Sequence, residues 1–134
     1  MAVERINSPK LLPPHGHTHV TKVLSGTTIY LSGQGAFTAD SKLVGEGDYY
    51  AQSKQAFKNV LIALESAGAK FADVVKATYY IVDLGPAALD GFVKAMYEVL
   101  GEQADPPPSA TMVGCQALGL EGMLVEIDVT AVVD

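Results

Sequence analysis

Val74-Val75-Lys76-Ala77-Thr78-Tyr79-Tyr80-Ile81-Val82 is rich in β-branched and aromatic residues and reads as a strand. A helix is expected on each side of it. Upstream, Ala56, Val60, Leu64 and Ala67 recur at helical spacing, and Phe57 and Leu61 widen that stripe. Asp48 can cap the N-terminus through its side-chain oxygen, and Gly68 stands where a left-handed residue ends a helix, so the pattern predicts a helix over 48–67. Downstream, Pro86 suits a first helical turn, where a missing N–H leaves no hydrogen bond unmade. Leu89, Phe92, Val93, Met96, Tyr97 and Leu100 then form one apolar face, and Gly101 closes it.

Outside this centre the chain reads as strands. Residues 20–24 and 27–32 flank Ser25-Gly26, a turn signal, and together predict a hairpin. A strand over 111–117 follows Pro106-Pro107-Pro108. The last, over 124–132, alternates: Val125, Ile127, Val129 and Ala131 on one face, Leu124, Glu126, Asp128 and Thr130 on the other. The order β-β-α-β-α-β-β predicts an α+β sandwich with two helices on one face of a mixed sheet. It fits one domain over 1–134 with its core at about 18–133. Helices cover one face only. The other is expected to keep apolar and small side chains, and a patch of that size points to a homo-oligomer of cyclic symmetry.

Composition excludes several classes. At 49% hydrophobic and 18% charged, the chain has enough apolar surface to fold rather than stay disordered. No apolar run approaches the ~20 residues that span a bilayer, so no membrane association is expected. Residues 1–14 lack the apolar core of a secretory signal. Cys115 is the single cysteine, which forbids an internal disulfide and suits the reducing cytoplasm. The net charge of −6 argues against nucleic acid as a partner. Arg5 is the only arginine.

A set of short pieces, each weak alone, gains force from its order and spacing. They are Ser32-Gly33-Gln34; Gln52, Asn59-Val60, Leu64 and Ala67-Gly68; Asp73-Val74-Val75-Lys76 and Val82-Asp83; Tyr97; Pro108 and Thr111; and Val125-Glu126-Ile127-Asp128. In these the chain resembles the Rid family, the reactive intermediate deaminases also called YjgF-like proteins, over nearly its whole length. The resemblance implies a chorismate-mutase-like fold and a homotrimer with a central barrel, with clefts between subunits. It implies hydrolysis there of a small-molecule imine or enamine, such as 2-aminoacrylate, to a carbonyl compound and ammonia, with no metal or organic cofactor. In the family an arginine in a Pro-x-Arg-Ser/Thr motif holds the substrate carboxylate, and a glutamate on the last strand positions water. Residue by residue, Glu126 matches that glutamate, Ser32 and Gly33 match cleft positions, and Thr111 and Met112 match residues whose backbone helps bind substrate. The arginine position holds Ala110, the asparagine of the second helix is Lys94, and the entrance tyrosine corresponds to His19.

A guanidinium offers a carboxylate two parallel donors and a permanent charge, and one charge-assisted hydrogen bond contributes about 1.5–3 kcal/mol. Alanine offers neither, so small 2-imino acids should be gripped poorly. Two functional readings follow: a hydrolytic deaminase of altered substrate, with Glu126 orienting water and Lys94 and His19 tuning specificity; or a diverged trimer that binds a small ligand or another enzyme without turnover. RNA cleavage meets the acidic charge, and chorismate mutase activity rests on fold alone. Bland readings stand beside the others. Asp128 is taken as structural, and Lys94 is also a plain solvent-facing residue. His15, His17 and His19 alternate as metal ligands do, but no cysteine or carboxylate lies nearby. Cys115 reads as a small buried hydrophobe, Gly33-Gln34-Gly35 as a turn, and the methionines as packing.

Overall fold

The computed structural model describes residues 2–134. In chain order the elements are β1 (Val3–Ile6), β2 (Val20–Val23), β3 (Thr27–Tyr30), α1 (Tyr49–Ser66), β4 (Val74–Val82), α2 (Pro86–Leu100), β5 (Ser109–Cys115) and β6 (Val125–Val133). The main sheet has the order β3-β6-β4-β5. In it β4 runs antiparallel to β6 and parallel to β5, the parallel pair being joined by α2. Both helices lie on one face of this mixed sheet, as the element order predicts.

Local chemistry sets the helix ends. The Asp48 carboxylate accepts a hydrogen bond from the Ala51 N–H (3.1 Å), which satisfies one of the free donors of the first turn. At the other end Gly68 is left-handed (φ +75°), and the N–H groups of Gly68 and Ala69 return to the carbonyls of Glu65 and Leu64. The inner stripes then interlock. Phe57, Val60 and Leu64 of α1 and Phe92 and Leu100 of α2 pack on Ala77, Tyr79 and Ile81 of β4 and on the odd-numbered residues 125–131 of β6. Phe92 sits at the centre, its ring 5.2 Å from Phe57 and 4.9 Å from Tyr79 between centroids. Gln52, fully buried on α1, donates to the carbonyls of Gly45 and Gly122 and accepts from the Leu124 N–H. It ties the helix to the lead-in of β6.

The expected hairpin does not form. β2 pairs antiparallel with β1, residues 3–6, and β3 pairs with the end of β6. Ser25-Gly26 still turns the chain, with Gly26 at φ +107° against the Val133 carbonyl, but each flanking strand takes its hydrogen bonds from a distant partner. The N–H groups of Leu24 and Ser25 go to the Ala2 carbonyl rather than across the turn. The β1–β2 ribbon is fastened by Arg5, which donates to the Ala72 carbonyl (3.1 Å), and by the Thr21–Ser109 hydroxyl pair (2.8 Å). A core drawn at 18–133 therefore leaves out β1.

The face away from the helices mixes polar and apolar side chains. It carries Lys76, Thr78 and Tyr80 from β4, Thr111 and Val113 from β5, and Glu126, Asp128, Thr130 and Val132 from β6, with Tyr30 of β3 80% exposed at its edge. Lys76 Nζ donates to the Thr111 hydroxyl on that face (2.9 Å). Among the described residues no helix is long and apolar enough to cross a membrane.

Candidate functional site

Strand alternation sends the matched residues to opposite sides of the sheet. On β6, Val125 and Ile127 are buried under the helices, so Glu126 points to the open face, half-buried, opposite Tyr80 of β4. The chain leaving β3 runs past it. Gln34 exchanges both backbone hydrogen bonds with Ile127 (2.8 and 2.9 Å), which lays Ser32 and Gly33 alongside the glutamate. A Cβ added at Gly33 would stand 2.8 Å from Glu126 Cδ and 3.0 Å from Cγ. With only hydrogen at this position, the carboxylate can lie directly on that backbone. Asp128 shares the face, opposite Thr78.

Ala110 and Met112 go the other way. In the parallel register they stand beside Ala77 and Tyr79, which face the helices. Here a pocket of about 590 Å³ opens between β5, α2 and the 15–17 loop. Leu89, Phe92, Val93, Met96 and Tyr97 of α2 form one wall, Tyr79, Ala110 and Met112 the floor, and His15, Gly16 and His17 the rim. Among the described residues no lysine or arginine lines it. Burial, and after it the neighbouring Tyr97, push the Tyr79 phenol well above the ordinary tyrosine range, so it stays a neutral donor.

The other matched residues fall outside this pocket. His19 accepts from the Ser8 N–H at Nδ1 (3.0 Å), so its proton is on Nε2, which donates to the Leu12 carbonyl (2.7 Å). Both ring nitrogens are thus engaged in fixing the N-terminal loop, and His17 takes the place at the rim. Lys94 is exposed and turns toward α1, its ammonium 4.8 Å from the Tyr50 ring centroid. Thr111 lies on the open face under Lys76. Arg5, held on the Ala72 carbonyl, does not replace the missing guanidinium. Within one chain, then, Ser32, Gly33 and Glu126 form one cluster and Ala110 and Met112 belong to another, with the sheet between them. Tyr79, Met96 and His17 were not anticipated as lining residues, although alternation on β4 puts Tyr79 on the helix side and the α2 stripe carries Met96.

The model for Endoribonuclease L-PSP matches residues 10–133. The chain belongs to the Rid/YjgF family. Its fold is that of this Rid family at large: a YyfB protein of unknown function from Yersinia pestis, described as a member of the conserved Rid family, superposes with a TM-score of 0.87 at 35% identity, covering 99% of this chain and 100% of that one. Among curated relatives, a 2-iminobutanoate/2-iminopropanoate deaminase of Capra hircus is 33% identical, covering 97% of this chain and 90% of its own. Protein DfrA of Myxococcus xanthus is 30% identical, covering 98% of this chain and 94% of its own. The Rid frame is thus kept over almost the entire chain.

Proposed function

We propose that this Rid protein is a homotrimeric hydrolase that converts a reactive imine or enamine to a carbonyl compound and ammonia in clefts between neighbouring copies. The observation that carries the reading is the separation of the two clusters. Glu126 rests against Gly33 on the open face, and the Ala110 pocket opens on the helix face. One chain cannot bring them to one substrate, so a cleft that uses both would need a second copy. The carboxylate of Glu126 would accept a hydrogen bond from water next to the imine carbon. Water adds to that carbon, its proton passes by way of the carboxylate to nitrogen, and the C–N bond breaks to release ammonia. Ser32 and the Gly33 backbone would contact the substrate on that side, and Met112 and Ala110 would meet its body on the other. Lys94 and His19 enter only if assembly reshapes their surroundings, because both side chains are engaged elsewhere.

The test is ammonia release from enzymatically generated 2-iminobutyrate and a panel of other imines, with Glu126→Ala as the control and sedimentation giving the assembly state. A stable monomer, or rates at the buffer level across the panel, would overturn it. Ala110 favours a second reading, a trimer that binds a small ligand without consuming it. There a ligand should raise the melting temperature and be recovered unchanged, and turnover of that ligand refutes it. RNA cleavage finds no support in a net charge of −6 with the lone arginine bound to a backbone carbonyl.

A further inference from the structure

We infer that the Ala110 pocket takes a neutral imine or carbonyl compound with an aromatic or branched apolar body and no carboxylate beside the reacting carbon. The inference deepens the deaminase reading and rests on it for turnover, though not for binding.

Three observations carry it. The first is size: about 590 Å³ falls in the range of pockets that bury drug-sized ligands, and a 2-imino acid of four carbons would leave most of it unfilled. The second is the wall. Leu89, Phe92, Val93, Met96 and Met112 offer apolar and polarisable surface to a flat or branched body. The third is the charge at the floor. Ala110 supplies no cation, Arg5 is held on the Ala72 carbonyl, and Lys94 lies on Tyr50. A carboxylate at this floor would lose water without meeting a lysine or arginine, the nearest basic side chains of the lining being the His15 and His17 imidazoles at the rim. The polar groups that remain include the phenols of Tyr79 and Tyr97. Tyr79 is held neutral by its burial, and the Tyr97 hydroxyl lies close enough to Gly16 that a Cβ there would be 3.6 Å away. Neutral donors suit a carbonyl oxygen or an imine nitrogen. The chemistry stays balanced: R–CH=NH and water give R–CHO and ammonia, with no change of oxidation state.

The decisive measurement compares two nearly isosteric ketones by calorimetry on the wild-type protein. Phenylacetone is neutral; phenylpyruvate carries a carboxylate where phenylacetone has a methyl group. Phenylacetone should bind about tenfold more tightly or better, and Ala110→Arg should reverse the order. Met96→Trp, which fills the pocket, should abolish phenylacetone binding in a protein of unchanged assembly. Equal or tighter binding of phenylpyruvate by the wild type overturns the inference, as does unchanged phenylacetone binding in a folded Met96→Trp variant. Turnover separates the two layers. Ammonia release should be faster from the imine that an amine oxidase makes from 2-phenylethylamine than from the imine that an amino-acid oxidase makes from phenylalanine. The opposite preference overturns this inference and leaves the deaminase reading intact. Tight phenylacetone binding with neither imine hydrolysed above buffer supports the neutral-ligand pocket and overturns the deaminase reading.

Discussion

Replacing Gly33 with alanine isolates the position of the Glu126 carboxylate from its presence. The added methyl would lie 2.8 Å from Glu126 Cδ, where an ordinary carbon–carbon contact is about 3.7 Å. The glutamate must therefore retreat by about 1 Å, and it is free to do so, because the clash is with the far end of a flexible side chain on the open face. Shifting its rotamer costs about 0.5–1.5 kcal/mol. Gly33 has no positive φ, so alanine fits the backbone and regains about 0.4–1 kcal/mol by restricting the unfolded chain. The two effects nearly cancel, and the melting temperature should stay within a few degrees of wild type. Activity should not. A misplacement of ~1 Å at a reacting group lowers rates by about 100-fold. The assay is steady-state ammonia release on the imine the wild type hydrolyses best, read beside chemical denaturation of the same preparation. Normal turnover in Gly33→Ala, with Glu126→Ala inactive, would refute the claim that the Gly33 contact positions the carboxylate. Destabilisation by several kcal/mol would show that Glu126 is wedged rather than mobile.

Three further outcomes are expected. Ala110→Arg restores the bidentate donor of the family motif in a pocket with room for it, so kcat/KM for 2-iminobutyrate should rise about 10- to 100-fold, read by ammonia release; a folded variant showing no gain would mean the cleft has diverged at more than this residue. Gln52→Ala strips the carbonyls of Gly45 and Gly122 and the N–H of Leu124 of a buried partner, and urea denaturation should show a loss of about 3 kcal/mol or more. Tyr79 has a folded pKa above its unfolded value, so the unfolded chain releases that proton first; its contribution is intact below about pH 10 and declines as pH climbs past that point, and Tyr79→Phe should flatten the fall in urea midpoint above pH 10 relative to wild type.

The parts of the fold that were legible are those whose signal is local. The α1 stripe, its Asp48 cap and Gly68 terminator, the β-branched and aromatic run of β4, the alternation of β6, and Pro86 at the head of α2 all appear where the sequence puts them. The hairpin misled because Ser25-Gly26 is a true turn with false consequences: the partner of β2 lies some fifteen residues upstream, and that of β3 at the far end of the chain. Four residues such as Val-Glu-Arg-Ile at 3–6 carry too little pattern to announce a strand. The alternating histidines carry little weight as metal ligands in the sequence, and the structure shows what one of them does instead. Strict alternation puts 15, 17 and 19 on one face, but the loop is not a strand, and two backbone groups capture the His19 ring.

What the sequence held without displaying is the geometry that links Ala110 to Glu126. Alternation on β6 and the β4–β5 register suffice to send the two side chains to opposite faces, so a cleft that uses both must be closed by another copy. The same geometry separates folding from ligand chemistry. Ala110 is half-buried against the edge of the core and lines the cavity between β5 and α2, so a longer side chain there would extend into open space rather than into packed side chains. A family can therefore change the charge its substrate must carry at this position while the sheet, the helices and the Gly33–Glu126 contact stay as they are. On the proposed reading the residue at 110 would govern which small molecules enter, and Glu126 would govern what happens to them.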